Sequence, residues 1–189
     1  SDADVAISTS NARRFSVEEF LVVLCNIANR EPASCSRIST FFSQDLKRCW
    51  PVDHAVETLT SISKEVGGTI FISSGNDAKS WNKNFLDKWP RHLKKPVDLR
   101  HIFSDLESEI ALYHSADLFL GINSFTSNLA MNCDLPSIVL YHKRSWYLNY
   151  RDNSIGVFPE DDKNIGNIKT TDIRRNVKKL LAKTNSVRA

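Results

Sequence analysis

Small polar residues interrupt a long apolar stretch near residue 123, and this turn is where the sequence could bind a charged ligand. The segment LFLGINSFTSNLAMNCDLPSIVLY, residues 118–141, loses its apolar character at Gly121 and regains it after Pro136. A turn directly before a helix exposes backbone N–H groups at the positive end of the helix dipole, which favours an anion such as phosphate. Further hydroxyl or amide contacts could come from Asn123, Ser124, Thr126 and Ser127. The alternative is that serine and threonine simply cap the helix.

A basic pair before a tryptophan is the second candidate. The sequence KRCWP, residues 47–51, puts Lys47 and Arg48 beside an aromatic residue near the start of a helix. An arginine there can bind a diphosphate through two parallel hydrogen bonds; plain solvation at the surface is the alternative. A third loop, SSGNDAKS at residues 73–80, gives a weaker signal because turn formation alone explains its composition. None of these patterns identifies a catalytic residue.

Several other kinds of site are not indicated. The 5 histidines lack metal-ligand spacing, so we expect no metal site; they are His54, His92, His101, His114 and His142. The signatures GxSxG, P-loop and complete GxGxxG do not occur, which argues against the usual hydrolases, NTPases and nicotinamide enzymes. Trp81, Phe85 and Trp89 lie four residues apart among lysines. We interpret them as the core-facing side of a helix rather than as a nucleic-acid surface.

Composition indicates an ordinary globular chain. Hydrophobic residues make up 41% and charged residues 25%, and a net charge of +3 is too small to indicate nucleic-acid binding. No apolar run approaches the roughly 20 residues of a membrane span, and no signal-peptide pattern opens the chain, so we expect a soluble, cytoplasmic protein. The 4 cysteines form no CxxC pair. We expect reduced thiols, with a Cys35–Cys49 disulfide as the alternative.

The elements that must position these loops begin after a polar leader. We predict a flexible leader at residues 1–18 and a single domain at residues 19–189. The continuously apolar segment from Phe20 predicts a strand buried on both faces. An irregular loop is predicted over residues 28–51, because the segment is long, polar and contains two prolines.

Helices and strands alternate through the rest of the chain. A helix is predicted from Asp53 to Gly67, followed by the strand TIFIS, and a terminal helix begins at Asp172. The strands DLFLGI and PSIVLY flank a helix at residues 126–132. A capping box at Ser104 opens another helix, whose predicted inward residues are Leu106, Ile110 and Tyr113. This alternation predicts an α/β, Rossmann-like three-layer sandwich with a parallel sheet, which binds ligands at the carboxyl edge of its strands.

The order of these features resembles the carboxyl-terminal half of a GT-B glycosyltransferase, most closely the bacterial heptosyltransferases of glycosyltransferase family 9. In that family a loop ending in K-x-W-P precedes a helix and a glycine-ended strand, and the motifs D-S-G-x-x-H-L-A and G-x-P-x-x-x-L-F follow. Here RCWP at residues 48–51 resembles the first motif, and IFISSG at residues 70–75 the glycine-ended strand. The segment ADLFLGINSFTSNLAMNCDLPSIVLY, residues 116–141, resembles the remainder.

This resemblance implies a donor-binding domain. In the family this half binds the nucleotide of an activated sugar, commonly an ADP-heptose, with the lysine and the D-S-G turn around the diphosphate. Carried onto this sequence, the donor-binding positions are Arg48 with its neighbour Lys47, and Asn123, Ser124, Phe125, Thr126 and Asn128. The resemblance implies a nucleotide-diphosphate sugar as substrate, with no separate cofactor. A glycan or lipid-linked acceptor would be bound by another, amino-terminal domain.

The matched positions also differ from the family pattern. Arg48 replaces a lysine, Asn123 an acid, Phe125 a glycine and Asn128 a histidine. The first hypothesis is the donor domain of a metal-independent glycosyltransferase in lipopolysaccharide or glycan biosynthesis. The alternative is a non-catalytic interaction or scaffold domain derived from the GT-B fold. A nucleotide-sugar epimerase of the same architecture is a third candidate, although its acidic catalytic residues have no clear counterparts in this sequence.

Overall fold

The computed structural model describes residues 37–41, 49–66, 69–73, 79–99, 106–144, 151–161 and 163–188. Strands and helices alternate along these residues, and a short 3₁₀ turn, Ile165–Asn167, precedes the last helix. In chain order the elements are β1 (Arg37–Phe41), α1 (Val52–Val66), β2 (Thr69–Ile72), α2 (Lys79–Lys88), β3 (Val97–Asp98), α3 (Leu106–Ser115), β4 (Leu118–Ile122), α4 (Phe125–Asn132), β5 (Ser137–Leu140), β6 (Ser154–Val157) and α5 (Thr170–Arg188).

The strands form one parallel sheet with a reversal at its centre. The sheet has 6 strands in the order β3-β2-β1-β4-β5-β6, and every neighbouring pair is parallel. The chain therefore runs outward from β1 to one side and then returns to β4 on the other, which is the doubly wound order of nucleotide-binding sheets. Phe41 of β1 pairs with Gly121 of β4 at the carboxyl ends of these central strands. The predicted α/β, Rossmann-like fold is confirmed.

The central strands were recognisable because they are apolar along their whole length. Every residue of β2, β4 and β5 is buried, as expected where helices cover both faces of a parallel sheet. On one face α1, α2 and α5 pack through a core that includes Trp50, Leu59, Phe85 and Ile173. On the other face α3 and α4 cover a second core that includes Phe71, Leu112, Tyr113, Phe119 and Ala130.

The aromatic residues of α2 face the core, as the sequence predicts. Trp81 and Phe85 are stacked with their ring centroids 5.3 Å apart, and Trp89 continues the ridge just beyond the helix. The Trp81 Nε1–H donates to the Trp50 carbonyl oxygen at 2.9 Å, which ties the start of α2 to the residues that precede α1. This ridge is therefore part of the hydrophobic core and not a surface for stacking nucleotides.

Several sequence predictions about the elements were wrong. β1 lies inside the segment 28–51 that we predicted to be an irregular loop. Its sequence, RISTF, carries too many polar residues to resemble a buried strand, and its strand state is stabilised by hydrogen bonding to β2 on one side and β4 on the other. The strands β3 and β6 were not predicted either, because VD and SIGV are too short to show a period.

Leu106 is a further correction. We predicted it to face inward, yet it is 49% exposed, because α3 buries residues of its second half and not its first turn. Tyr113 is buried as predicted. The predicted leader, the strand from Phe20 and the cap at Ser104 lie outside the described residues.

Two simple findings complete the description. Cys49 and Cys133 are not joined in a disulfide. Cys35, the other half of the alternative pairing, lies outside the described residues. Among the helices that the structure describes, none is both long enough and apolar enough to cross a membrane.

Candidate functional site

The β4–α4 turn opens at the point where the strand order reverses. β4 ends at Ile122, and α4 begins at Phe125. The backbone N–H of Asn123 donates to the Leu140 carbonyl oxygen at 3.0 Å, which fixes the start of the turn against the end of β5. In doubly wound sheets the crevice beside this reversal is where nucleotides bind. The candidate turn therefore lies at the expected position of a ligand site.

The serines of the turn form a capping box. Ser124 has an extended backbone with φ −158° and ψ −179°, and its Oγ accepts a hydrogen bond from the Ser127 backbone N–H at 3.5 Å. In return, the Ser124 backbone N–H donates to Ser127 Oγ at 3.0 Å, and the Ser127 hydroxyl donates to the Ser124 carbonyl oxygen at 2.8 Å. The Ser124 and Thr126 hydroxyls share a hydrogen bond of 2.7 Å. The capping interpretation of the serines is thereby confirmed, and these hydroxyls are used to shape the turn.

Backbone N–H groups at the start of α4 can donate hydrogen bonds to a ligand. The first N–H groups of an α-helix have no carbonyl acceptor within the helix. The N–H groups of Phe125 and Thr126 donate to no acceptor within the part of the chain that the structure describes. They therefore form the positive end of the helix dipole at the carboxyl edge of the sheet.

Phe125 does not fold back into the protein interior. Its side chain is 65% exposed, because α4 buries Thr126, Ser127, Ala130 and Met131 instead. Asn128 is also exposed and lies three residues further on, so it occupies the same side of the helix as Phe125. The Phe125 ring is thus directed towards solvent at the carboxyl edge of the sheet.

Lys47 and Arg48 lie outside the described residues. The connection that contains them follows Phe41, the last residue of β1, which pairs with Gly121 of β4. It ends at the buried residues Cys49 and Trp50, just before α1. The β1–α1 connection thus begins beside the β4–α4 turn. The predicted convergence of Arg48 with that turn stays a prediction.

A carboxyl group on α3 was missed by the sequence analysis. The Tyr113 hydroxyl donates to Glu109 Oε1 at 2.6 Å, and it also hydrogen-bonds with Ser73, the residue that follows β2. Burial raises the pKa of Glu109, and the hydrogen bond from Tyr113 opposes that rise. The pKa of Tyr113 is raised above its ordinary value, first by burial and then by the nearby negative charge of Glu109. The only sequence signal for this pair is its spacing of four residues on a helix.

A stack of aromatic residues and an arginine was also missed. Tyr141 follows β5 and Phe158 follows β6, and their rings are stacked with centroids 5.2 Å apart and an interplanar angle of 21°. The Arg144 Cζ lies 5.0 Å from the centroid of the Phe158 ring. These residues are distant in sequence, and only the parallel pairing of β5 with β6 brings them together at the carboxyl edge.

The loop after β6 carries two acids that have their own partners. Glu160 accepts a hydrogen bond from Lys169 Nζ at 2.5 Å. Asp161 accepts from the backbone N–H groups of Lys163 and Asn164 and from Asn167 Nδ2. These hydrogen bonds hold the pKa of Asp161 below its ordinary value, and the bond from the Lys163 backbone N–H has the largest effect. Within the ranges described, no three His, Cys, Asp or Glu side chains are grouped as metal ligands.

Solved structures with a similar fold include heptosyltransferases and an epimerase. No protein-family model and no curated protein sequence matches this chain. The structure is similar to ADP-heptose LPS heptosyltransferase II of Escherichia coli, with a TM-score of 0.75 at 12% identity over 91% of this chain and 54% of that one. It is similar to a family 9 glycosyl transferase of Veillonella parvula, with a TM-score of 0.74 at 13% identity over 88% and 50% of the two chains.

A third similar structure is the UDP-GlcNAc 2-epimerase of Methanocaldococcus jannaschii, with a TM-score of 0.60 at 17% identity over 87% of this chain and 44% of that one. The chain therefore spans about half the length of the structures it matches. At these identities the likeness concerns the fold, and it confirms the predicted resemblance at that level: the described residues have the Rossmann-like α/β fold found in GT-B proteins.

Proposed function

We propose that this chain is the donor-binding domain of a glycosyltransferase and holds the nucleoside diphosphate of an activated sugar. The observation that carries this proposal is the start of α4 at the reversal of strand order, with the N–H groups of Phe125 and Thr126 open to a ligand. A diphosphate is the natural occupant of such a site, because its oxygens accept hydrogen bonds and its charge is stabilised by the helix dipole. The shared fold of the heptosyltransferases supports the proposal.

The reaction in this proposal is the transfer of a glycosyl group. An acceptor hydroxyl oxygen attacks the anomeric carbon of the donor sugar and forms the new glycosidic bond. The bond from that carbon to the diphosphate oxygen breaks, the electron pair leaves with the nucleoside diphosphate, and the acceptor proton passes to a base. Negative charge grows on the departing diphosphate, so amides and cations that face it lower the barrier.

Individual residues take distinct roles in this proposal. Arg48, with Lys47 beside it, binds the diphosphate from the β1–α1 connection with the planar fork of its guanidinium group. The Phe125 and Thr126 amides bind it from α4. Asn123 and Asn128 contribute neutral side-chain amides where the family has an acid and a histidine.

A second domain or a partner chain supplies the acceptor site in this proposal. The matched heptosyltransferase is about twice as long as the aligned region, since that region covers 54% of it. We propose that a glycan or lipid-linked acceptor is bound by such a second part and meets the donor at the carboxyl edge. A cytoplasmic location, where nucleotide sugars are available, is part of the same proposal.

Isothermal titration calorimetry tests donor binding directly. The full chain is titrated with ADP, UDP and GDP and with an ADP-, UDP- and GDP-linked sugar; saturable binding of at least one nucleoside diphosphate is expected. Arg48→Ala is expected to weaken that binding by about tenfold or more, since hydrogen bonds to charged groups contribute about 1.5–3 kcal/mol. Arg151→Ala is the matched control. This exposed arginine lies near the opposite, amino edge, where its Nη2 donates to Asn132 Oδ1 at 2.6 Å. An unchanged affinity in Arg48→Ala argues against its assigned role.

A second candidate function is a non-catalytic interaction domain. The observation that favours it is that the Ser124 and Ser127 hydroxyls are occupied by their own capping box, while an exposed Phe125 stands where the family has glycine. If the folded chain binds none of the six nucleotides in the calorimeter, this second function is favoured and the donor-binding proposal is rejected.

A further inference from the structure

Positive charge is concentrated on the outside of α2 and on the turn that follows it. Residues 79–95 contain six of the 25 lysines and arginines and one of the 22 acids, Asp87, so their net charge is +5. The other 19 lysines and arginines and 21 acids give the rest of the chain a net charge of −2. We call the six cations of this segment the basic surface: Lys79, Lys83, Lys88, Arg91, Lys94 and Lys95.

The basic surface is turned away from the core. All six of its cations are exposed. The opposite side of the same segment carries the aromatic ridge of Trp81, Phe85 and Trp89, each at most 8% exposed and packed in the core. The apolar side chains of α2 are thus used by the fold, and its outer side presents charge to whatever lies outside.

Neighbouring acids leave most of this charge uncompensated. Lys88 pairs with Asp53 at 2.6 Å. The other cations of the segment that lack an acidic partner among the residues that the structure describes are Lys79, Lys83, Arg91 and Lys95. A positive potential therefore remains over this side of the protein.

The basic surface extends between the two edges of the sheet. Lys88 pairs with Asp53 in the first turn of α1, which lies at the carboxyl edge. Lys94 Nζ donates to the Thr69 hydroxyl at 3.1 Å, and Thr69 begins β2 at the amino edge. The Trp89 Nε1–H donates to the Lys94 carbonyl oxygen at 3.1 Å, which holds the turn against the end of α2. A flat partner that contacts the whole surface is therefore brought beside the carboxyl edge.

The composition of the basic surface suits a layer of anionic lipid headgroups. Interfaces between folded proteins are rich in arginine and aromatic residues and poor in lysine, whereas five of these six cations are lysines. The two exposed large hydrophobic residues in the described part of the chain, Leu106 and Phe125, belong to other helices. Single-stranded nucleic acids stack on exposed aromatic rings, and the rings of this segment are buried. A cluster of about four to eight lysines and arginines on an amphipathic helix is typical of binding to anionic lipids.

We propose that the basic surface binds an anionic membrane surface, with α2 lying along the lipid headgroups. Because the apolar side of α2 is packed in the core, attachment is electrostatic and reversible and involves no insertion of this helix. The carboxyl edge is then held beside the membrane. This proposal does not require nucleotide binding, so a vesicle assay and the calorimetric titrations fail or succeed independently.

Cosedimentation with vesicles tests the proposal. The full chain is mixed with vesicles of phosphatidylcholine alone, or with vesicles that contain about one-third phosphatidylglycerol as the anionic lipid. We expect binding to the anionic vesicles only, and its loss as the salt concentration rises from about 0.05 M to about 0.5 M, because salt screens exposed charges.

Paired substitutions in α2 locate the contact. Each cation near an anionic surface contributes about fivefold to partitioning, so Lys79→Ala/Lys83→Ala should bind about 25-fold more weakly than the wild type. Both positions are exposed and alanine favours helix, so α2 is retained, which urea unfolding verifies. Lys79→Arg/Lys83→Arg keeps the charge and should bind as the wild type does.

Lys143→Ala/Lys163→Ala is the matched control. It removes the same charge from exposed lysines in the loops after β5 and β6, at the other end of the sheet from β2, and should bind within about twofold of the wild type. An equal loss in this control and in Lys79→Ala/Lys83→Ala overturns the proposal, because net charge alone then drives binding. Equal binding to neutral and anionic vesicles, or binding to neither, also overturns it. Random-sequence RNA and DNA oligonucleotides are tested in parallel, and binding to them without binding to anionic vesicles overturns the proposal in favour of a nucleic-acid surface.

Discussion

The substitution Phe125→Pro tests the proposed function by removing a single backbone N–H group from the candidate phosphate site. Phe125 is the first residue of α4, a position at which proline is favoured because its ring fits the helical φ and the missing N–H has no helical acceptor. Ser124 precedes it with an extended backbone, φ −158° and ψ −179°, which is the region that a residue before proline prefers. The substitution therefore deletes the N–H proposed to bind phosphate while the helix keeps its hydrogen bonds.

Phe125→Ala is the control, because it also removes the aromatic ring but keeps the N–H. Phe125 is 65% exposed, so neither variant opens a cavity in the core. We expect the free energies of unfolding of the two variants to agree within about 0.5 kcal/mol, as is usual for substitutions at the surface. Urea unfolding measures this difference. The comparison between proline and alanine then isolates the amide from the side chain.

The expected effect on binding follows from the loss of one hydrogen bond to an anion. Such a bond contributes about 1.5–3 kcal/mol, and each 1.4 kcal/mol is tenfold in Kd, so Phe125→Pro should bind a nucleoside diphosphate about 10- to 100-fold more weakly than Phe125→Ala. Calorimetry with the nucleoside diphosphate that the wild type binds best measures the ratio. Equal Kd values for the two variants, with clear binding by the wild type, would refute the proposal that α4 begins at the phosphates.

Two further predictions concern residues around the site. Ser124→Ala removes the side-chain acceptor of the Ser127 N–H and should lower the free energy of unfolding by about 1 kcal/mol, measured in urea; an unchanged midpoint would contradict the capping role. Glu109→Gln should alter how stability depends on pH. Because burial raises the pKa of Glu109, the stability linked to its protonated form is fully present below the ordinary value of 4.5 and is lost as the pH rises through the raised value. Relative to the wild type, Glu109→Gln should therefore gain stability in urea unfolding as the pH rises above the ordinary value of 4.5. A parallel pH profile for the two proteins would count against a perturbed Glu109.

The sequence allowed strands to be predicted where both faces of the strand are buried and nearly every residue is therefore apolar. β2, β4 and β5 are apolar at nearly every position because helices cover both of their faces, and the sequence analysis identified each of them. β1 has an equally central place, yet its residues RISTF read as part of a polar loop. Its conformation is fixed by hydrogen bonds to two neighbouring strands, and a pattern within one segment contains no information about those partners.

The candidate site divides in a similar way. The β4–α4 turn could be predicted, because small polar residues between two apolar runs indicate a turn before a helix, and the same pattern predicted the caps. The stack of Tyr141, Arg144 and Phe158 could not be predicted, since β6 and its preceding loop separate its members in sequence. Glu109 was missed for another reason: its altered pKa comes from burial under neighbouring elements, which a single sequence does not show.

Stability and binding are assigned to different atoms of the same turn, and this separation makes the two candidate functions distinguishable. The Ser124 and Ser127 side chains hydrogen-bond to each other's backbone N–H groups, so their contribution is to the stability of α4 whether or not a ligand binds. The Phe125 N–H contributes nothing to the helix, because a first-turn amide has no intrahelical acceptor. A domain retained only as a scaffold would therefore be sensitive to Ser124→Ala in unfolding and indifferent to Phe125→Pro in every measurement. A donor-binding domain would show both effects, the first in urea and the second in the calorimeter, and neither substitution could mimic the other.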